Sequence, residues 1–132
     1  MDFLSKLAPW RPQALAILRI MTALLFLEHG TVKLFGFPGP GPANLSTLLY
    51  CAALIELIGG ALVTVGLFTR LAAFIMSGEM AFAYFMSHYM NPSFYPILNR
   101  GDAAILYCFI FLYIAVAGAG AWSLDRSMRN AS

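Results

Sequence analysis

Four long apolar runs restrict the fold of this chain more than any other feature of its sequence. They cover about residues 12–35, 45–68, 71–89 and 101–121 of the 132. A helix needs roughly 20 apolar residues to cross the hydrocarbon core of a bilayer, and each run is close to that length. Charged residues make up only 11% of the chain, whereas a soluble domain carries about 25%. The sequence therefore predicts one all-α membrane domain, residues 1–132, with four transmembrane helices.

The segments between the runs indicate how the helices are connected. Residues 36–42 alternate glycine and proline, and residues 91–96 contain two further prolines, so neither segment can continue a helix. Thr69 and Arg70 form a tight turn between the second and third runs. Short connections favour antiparallel neighbours, and so we expect an up-down four-helix bundle.

Basic residues indicate the orientation of the bundle. Lys33 and Arg100 fall at the end that carries the two proline-containing loops. The end with both chain termini holds five basic residues: Lys6, Arg11, Arg70, Arg126 and Arg129. The positive-inside rule then places both termini in the cytoplasm, and the first span is expected to stay as an anchor because no signal-peptide pattern precedes it. Since the basic residues are dispersed, we expect no nucleic-acid partner.

Ionisable residues also lie inside the apolar runs, where each costs roughly 2.5 kcal/mol or more unless it faces a protein interior or a cavity. Counting the rise along each helix places Glu56 and Glu79 near the midplane, with Arg19 slightly nearer the cytoplasm. An unpaired buried charge is very costly. We therefore expect Arg19 to form an ion pair with Glu56 or Glu79.

A second polar layer is predicted nearer the outer surface. Its members can donate, accept or titrate, and they are Glu28, His29, Tyr50, Cys51, Tyr84, Tyr107 and Cys108. The rim above this layer comprises Lys33, His88, Asn99, Arg100 and Asp102. Spacings of three and four residues place part of this set on one stripe of the first helix, formed by Arg19, Thr22, Phe26, His29 and Lys33.

Small residues mark a contact face on the second helix. Ala52, Ala53, Gly59 and Gly60 share a stripe with Glu56, and small side chains allow a neighbouring helix to approach closely in lipid. We therefore expect Glu56 to be buried in a helix contact. The same stripes would also serve association with further copies or partners, so a homo-oligomer or a larger membrane complex is expected.

The polar positions and turns together resemble one family. They are Arg19, His29-Gly30, Lys33-Leu34-Phe35-Gly36, Glu56-x-x-Gly59-Gly60, Gly66-Leu67-x-Thr69-Arg70, Ala83-x-Phe85-x-x-His88, Asn99-x-Gly101-Asp102 and Ser123-Leu124-Asp125. In this order they resemble the DoxX family of small bacterial inner-membrane proteins. The resemblance implies a multi-pass four-helix subunit of the bacterial inner membrane, often described as an oxidoreductase component. Family relatives include a subunit of a thiosulfate:quinone oxidoreductase and a membrane partner of superoxide dismutase and a sulfurtransferase.

The first functional hypothesis is a redox subunit that binds a quinone or a similar redox lipid. Quinone reduction needs an apolar slot, hydrogen bonds to two ring oxygens and groups that pass protons. Histidine titrates near neutrality, and desolvation can bring a glutamate into the same range. The candidate catalytic residues are Glu28, His29 and Glu79. The candidate cofactor-binding residues are Arg19, Lys33, Glu56, Tyr84, His88 and Asn99.

Neither a metal nor haem is expected as a cofactor. Glu79 and His88 are nine residues apart, which separates them by about 13 Å of helix rise and places them on opposite faces. The two histidines lie at different depths, which disfavours haem with two histidine ligands. A metal that bridges Glu28 or His29 to Glu56 is a minor alternative.

The main alternative is a scaffold without catalytic activity. Arg19, Glu56 and Glu79 would then form a structural ion-pair lock, and soluble redox or sulfur-handling enzymes would bind at Arg70 or at the tail after Trp122. A third hypothesis is a relay for protons or a small sulfur species. A redox dithiol of Cys51 and Cys108 is a further alternative, although no Cys-x-x-Cys motif is present to activate either thiol.

Overall fold

The structure, a computed structural model, describes residues 2–131, and this part of the chain is helical without a β-strand. A 3₁₀ helix, Phe3–Trp10, leads into α1, Arg11–Phe35. Helix α1 ends at Gly36, whose φ of 63° is the left-handed conformation that glycine adopts easily. The N–H of Gly36 donates to the carbonyl of Val32 at 3.1 Å and so closes the last turn.

The second helical rod, Thr47–Val65, contains three segments. They are α2, Thr47–Leu54, a π-helical segment, Ile55–Gly59, and α3, Gly60–Val65. Ser46 caps the start of the rod by accepting a hydrogen bond from the N–H of Leu49 at 3.2 Å. The rod ends at Gly66, with φ of 73°, and so it is shorter than the predicted run to residue 68.

The third rod consists of α4, Thr69–Ala83, and a second π-helical segment, Tyr84–His88. A loop and the short α5, Pro96–Asn99, lead to α6, Asp102–Ala117. Helix α6 ends four residues before the predicted boundary at 121, because Gly118 and Gly120 adopt positive φ values of 88° and 73°. The chain then turns back and forms α7, Leu124–Ala131.

The helices pack in two pairs around one apolar core. Helix α1 lies along the second rod, and α4 lies along α6. Phe26 is fully buried where these pairs meet, and its ring contacts Tyr107 and Phe111 edge-on at centroid distances of 5.4 and 5.0 Å. The other core residues include Ala23, Val63, Ala73, Met76 and Ile114.

Glycines bring α1 and the second rod close together. A Cβ atom at Gly60 would lie 2.9 Å from the Cβ atom of Leu27, and one at Gly30 would lie 2.9 Å from the backbone nitrogen of Leu57. Real Cβ atoms do not approach other atoms this closely. The predicted small-residue contact is therefore confirmed, and Glu56 within it is only 2% exposed.

The outer surface of the described helices is apolar. Phe74, Phe109 and Val116 are each more than 60% exposed. Two helices, Phe3–Phe35 and Thr47–Val65, are long and apolar enough to cross a membrane, and Asp102–Ala117 is apolar but shorter. An apolar belt of this kind is typical of a surface that contacts lipid.

Candidate functional site

A cavity of about 600 Å³ opens among α1, the second rod, the third rod and α6. Its volume is in the range of small-molecule sites, roughly 300–1,000 Å³. Most of its wall is apolar and includes Leu48, Leu49, Ile55, Ile75, Met80, Phe82, Ala83 and Met86. The polar groups on the wall include His29, Lys33, Glu56, Glu79, His88, Arg100 and Tyr107. We call this space the apolar cavity.

An ion pair joins α1 to the second rod inside the apolar cavity. The Nζ atom of Lys33 lies 2.6 Å from the Oε1 atom of Glu56. The Glu56 side chain is 3% exposed and that of Lys33 is 23% exposed, so this pair is shielded from most of the screening that weakens surface salt bridges. Lys33, which was predicted for the rim, thus reaches inward to the buried carboxylate.

Arg19 lies outside the apolar cavity, and the predicted ion pair of Arg19 with Glu56 or Glu79 is wrong. The guanidinium is fully buried and donates hydrogen bonds to three backbone carbonyls. Its partners are the carbonyls of Ala119, of Ala121 at 3.1 Å and of Trp122 at 2.8 Å. These carbonyls are available because α6 ends early and the following chain folds back over α1.

Glu79 projects from α4 towards the same ion pair. Both of its carboxylate oxygens are buried, and its carboxyl group lies beside that of Glu56. Its charge interacts with those of Glu56 and Lys33. One cation therefore faces two carboxyl groups in this part of the apolar cavity.

His29 lies at a junction between two cavities. Its ring lines the apolar cavity and contacts the ring of Tyr107 edge-on, with a centroid distance of 5.8 Å. His29 also lines a smaller cavity of about 320 Å³ that is shared with Glu28 and the proline loop. Glu28 is exposed and lines only the smaller cavity.

The outer mouth of the apolar cavity is organised by Asn99. This residue is 3% exposed, and its amide donates to the hydroxyl of Tyr84 at 3.3 Å and to the carbonyl of Ser93 at 3.0 Å. The backbone carbonyl oxygen of Asn99 lies 3.0 Å from the Nδ1 atom of His88. Tyr84 and Asn99 do not line the apolar cavity, and instead they hold the loop that positions His88 at its mouth.

The two cysteines are free thiols in different surroundings. Cys51 lines the apolar cavity, whereas Cys108 lies against Ser77, whose hydroxyl donates to the Cys108 carbonyl at 2.7 Å. The structure therefore does not bring the two sulfur atoms into a disulfide. Within residues 2–131, no group of three or more His, Cys, Asp or Glu side chains is arranged to hold a metal ion.

The family match decides what kind of protein carries this site. The DoxX family model matches residues 14–89, just over half of the chain. The chain belongs to the DoxX family. DoxX proteins are membrane proteins, and the matched part contains every ionisable residue of the apolar cavity except Arg100 and Tyr107.

Two relatives extend the comparison over nearly the whole DoxX chain. An uncharacterized protein of Haemophilus influenzae is 45% identical over 129 residues, which covers 93% of this chain and 96% of the relative. The "Putative oxidoreductase CatD" of Bacillus subtilis is 29% identical over 114 residues, which covers 83% and 82%. No solved structure matches the chain.

The DoxX chain also carries a polar cluster that the sequence reasoning missed, at the end that holds both termini. The carboxylate of Asp125, which the sequence marked only as part of the family pattern, accepts hydrogen bonds from the N–H groups of Phe68 and Thr69, each at 2.9 Å. Burial acts to raise the pKa of Asp125, but these hydrogen bonds and the charge of Arg19 outweigh it and hold the pKa below its usual range. The glycines at 118 and 120 could have predicted this cluster, because they end α6 and allow the chain to bring residue 125 back to α4.

Proposed function

We propose that this DoxX protein is an integral subunit of an oxidoreductase system in the bacterial inner membrane. It binds a quinone or a similar redox lipid in the apolar cavity. The observation that carries the proposal is the meeting of five predicted site residues on one largely apolar wall. These residues are His29, Lys33, Glu56, Glu79 and His88.

The residues of the apolar cavity fit a quinone. A quinone supplies two ring oxygens that take up electrons and protons, on a flat apolar ring with a lipid tail. His29, Lys33 and Tyr107 offer N–H and O–H donors for such oxygens. Apolar side chains such as Leu48, Ile75 and Met86 would surround the ring and the tail.

The paired carboxyl groups suit proton transfer. Lys33 balances one negative charge, so the set with Glu56 and Glu79 is neutral when one of the two carboxyl groups carries a proton. Glu79 lies beside Glu56 on the wall of the apolar cavity, and it can therefore give a proton to a bound group and take one from Glu56. His29 can take the same role from the other wall of the apolar cavity.

The membrane arrangement is part of the proposal. Helix α1, the second rod, the third rod and α6 would each span the bilayer, and the basic end with both termini would face the cytoplasm. Helix α6 has 16 residues, or about 24 Å of rise, and the turn at 118–123, which carries the exposed Trp122, would lie at its membrane boundary. A soluble redox enzyme would supply the electrons, and the apolar outer surface would bind further copies or a membrane partner.

Identification of bound small molecules tests the quinone proposal. The full protein is purified in a mild detergent, extracted with organic solvent and analysed by mass spectrometry. We expect a quinone with the unmodified protein and its loss from His29→Ala and from Glu79→Gln. The control is Asp102→Asn, which changes an exposed carboxylate outside the apolar cavity. Equal quinone content in all four samples, or its absence from the unmodified protein, would refute the proposal.

The second candidate is a scaffold that recruits soluble redox or sulfur-handling enzymes. It is favoured by the hydrogen bonds of Arg19 and Asp125, which order the end with both termini. The predicted lock of Arg19 with the buried glutamates is absent, so this end cluster would take its place. A soluble enzyme that is retained equally by the unmodified protein and by Glu79→Gln, with no bound quinone, would favour the scaffold.

A further inference from the structure

A second cavity, of about 530 Å³, lies at the end of the bundle that holds both termini. It opens between the start of α4, the end of α6 and the start of α7. Three arginines line it: Arg70, Arg126 and Arg129. We call this space the arginine groove.

The acid in the arginine groove is already engaged. Both oxygens of Asp125 accept hydrogen bonds from the start of α4, and its backbone N–H donates to the carbonyl of Gly66 at 2.8 Å. Arg70 donates to the carbonyl of Val116 at the last turn of α6. Among the described residues that line the groove, arginines outnumber carboxylates by three to one, and a positively charged lining of this kind suits an anion.

Helix α7 indicates where the arginine groove lies relative to the membrane surface. Leu124 and Met128 are one turn apart and are 47% and 59% exposed, so they form an apolar face. Arg126 and Arg129 lie on the other side of the helix. A short helix with one apolar and one basic face lies in the plane of the membrane surface.

Other side chains at the end with both termini also place the arginine groove at the membrane surface. Trp122, just before α7, is 63% exposed, and tryptophan is enriched at the level of lipid headgroups. The 3₁₀ helix Phe3–Trp10 also exposes large apolar side chains, including Phe3 at 72% and Trp10 at 62%. The arginine groove therefore opens where lipid headgroups would lie.

We propose that the arginine groove binds the phosphate of an anionic phospholipid headgroup. Guanidinium groups bind phosphate oxygens through paired hydrogen bonds, and Arg126 and Arg129 approach from α7. Leu71 and Ala117 supply an apolar wall beside which an acyl chain can leave the groove. This site is separate from the apolar cavity and does not depend on quinone binding.

A lipid titration of the full protein in a neutral detergent tests the proposal. Short-chain phosphatidylglycerol and phosphatidylcholine are the probes, and the Kd is read from tryptophan fluorescence. We expect tighter binding of phosphatidylglycerol, and a roughly 30-fold loss of its affinity in the Arg126→Gln, Arg129→Gln double variant. Arg70 is left unchanged because it holds the end of α6.

The matched control removes the same charge from the same end of the protein. Lys6→Gln combined with Arg11→Gln changes two basic residues that do not line the arginine groove. Its affinity for phosphatidylglycerol is expected to fall less than 3-fold, as charge screening at the surface allows. An equal loss in both double variants would overturn the proposal, because it would indicate attraction by net charge alone.

Two further measurements keep the result interpretable. Arg126→Lys with Arg129→Lys keeps the charge but loses the paired hydrogen bonds. We expect its affinity for phosphatidylglycerol to lie between those of the unmodified protein and the glutamine variant. If the glutamine variant does not fold, a lower affinity of the lysine variant than of the unmodified protein is the expected result. Inorganic phosphate is titrated as a competitor to separate the two sources of a phosphate group. Displacement of phosphatidylglycerol at millimolar phosphate, with direct phosphate binding of equal affinity, would overturn the lipid assignment.

Discussion

Arg19→Met replaces the buried guanidinium with an apolar side chain of similar length. The change removes the donors that reach Ala121 and Trp122 at 3.1 and 2.8 Å, and also the donor to Ala119. Each buried carbonyl left without a donor costs about 1–3 kcal/mol. Since the Trp122 carbonyl is only partly buried, we expect a total loss of about 3–5 kcal/mol in the free energy of unfolding.

Thermal unfolding in detergent measures this loss. For a chain of this size the expected fall in Tm is on the order of 10 °C. Arg19→Lys keeps one charged donor group and should recover part of the loss, since an ammonium can satisfy some of the three carbonyls. The control is Arg100→Met, which removes an exposed arginine at the opposite end. A fall in Tm for Arg19→Met no larger than that of the control would refute the view that Arg19 holds the turn after α6.

Three further predictions concern individual contacts. The pKa of Asp125 is lowered in the folded protein. Its carboxylate therefore stabilises the fold at pH values above its unfolded pKa of about 3.9, and this stabilisation is lost as pH falls through the folded pKa. Tm should fall with acid less in Asp125→Asn than in the unmodified protein, and an equal fall would contradict this. Gly66→Ala should lower Tm, because the φ of Gly66 is 73° and an added Cβ would clash with the Cβ of Ser123. Gly78→Ala is the control, and it should leave Tm unchanged or raise it because there is open space around Gly78. Lys33→Met should lower the free energy of unfolding by about 2–4 kcal/mol, because it leaves Glu56 without its cation. Adding Glu56→Gln should restore part of this loss in a double-mutant cycle of Tm values. Additive effects of the two changes would exclude coupling between the two residues.

Much of the local structure could be predicted from residue type alone. Gly36 and Gly66 end their helices because glycine adopts the left-handed conformation at little cost. Ser46 caps the second rod with its hydroxyl, as serine commonly does just before a helix. Gly60 permits a close approach to α1, which explains why the small-residue stripe marked the contact that buries Glu56. The four-span arrangement and both cytoplasmic termini stay predictions.

The candidate site was predicted only in part. His29, Lys33, Glu56, Glu79 and His88 do line one cavity. Arg19, Glu28, Tyr84 and Asn99 do not line it. Depth along a helix placed residues in layers, but it carried no information on how far a long side chain reaches or on which backbone carbonyls are available. Lys33 therefore was assigned to the rim, although its amine reaches Glu56.

The sequence by itself determined the helical class, the family and the ends of several helices, because these depend on composition and on local backbone preferences. Only the tertiary structure decided which cation meets which acceptor. Helix α6 ends at Ala117, and the chain then folds back so that carbonyls reach Arg19 and Asp125 reaches the start of α4. Lys33 is consequently the cation that meets Glu56. A buried charge pairs with the polar groups that packing brings within hydrogen-bond distance, and these groups can belong to residues that are far apart in the chain.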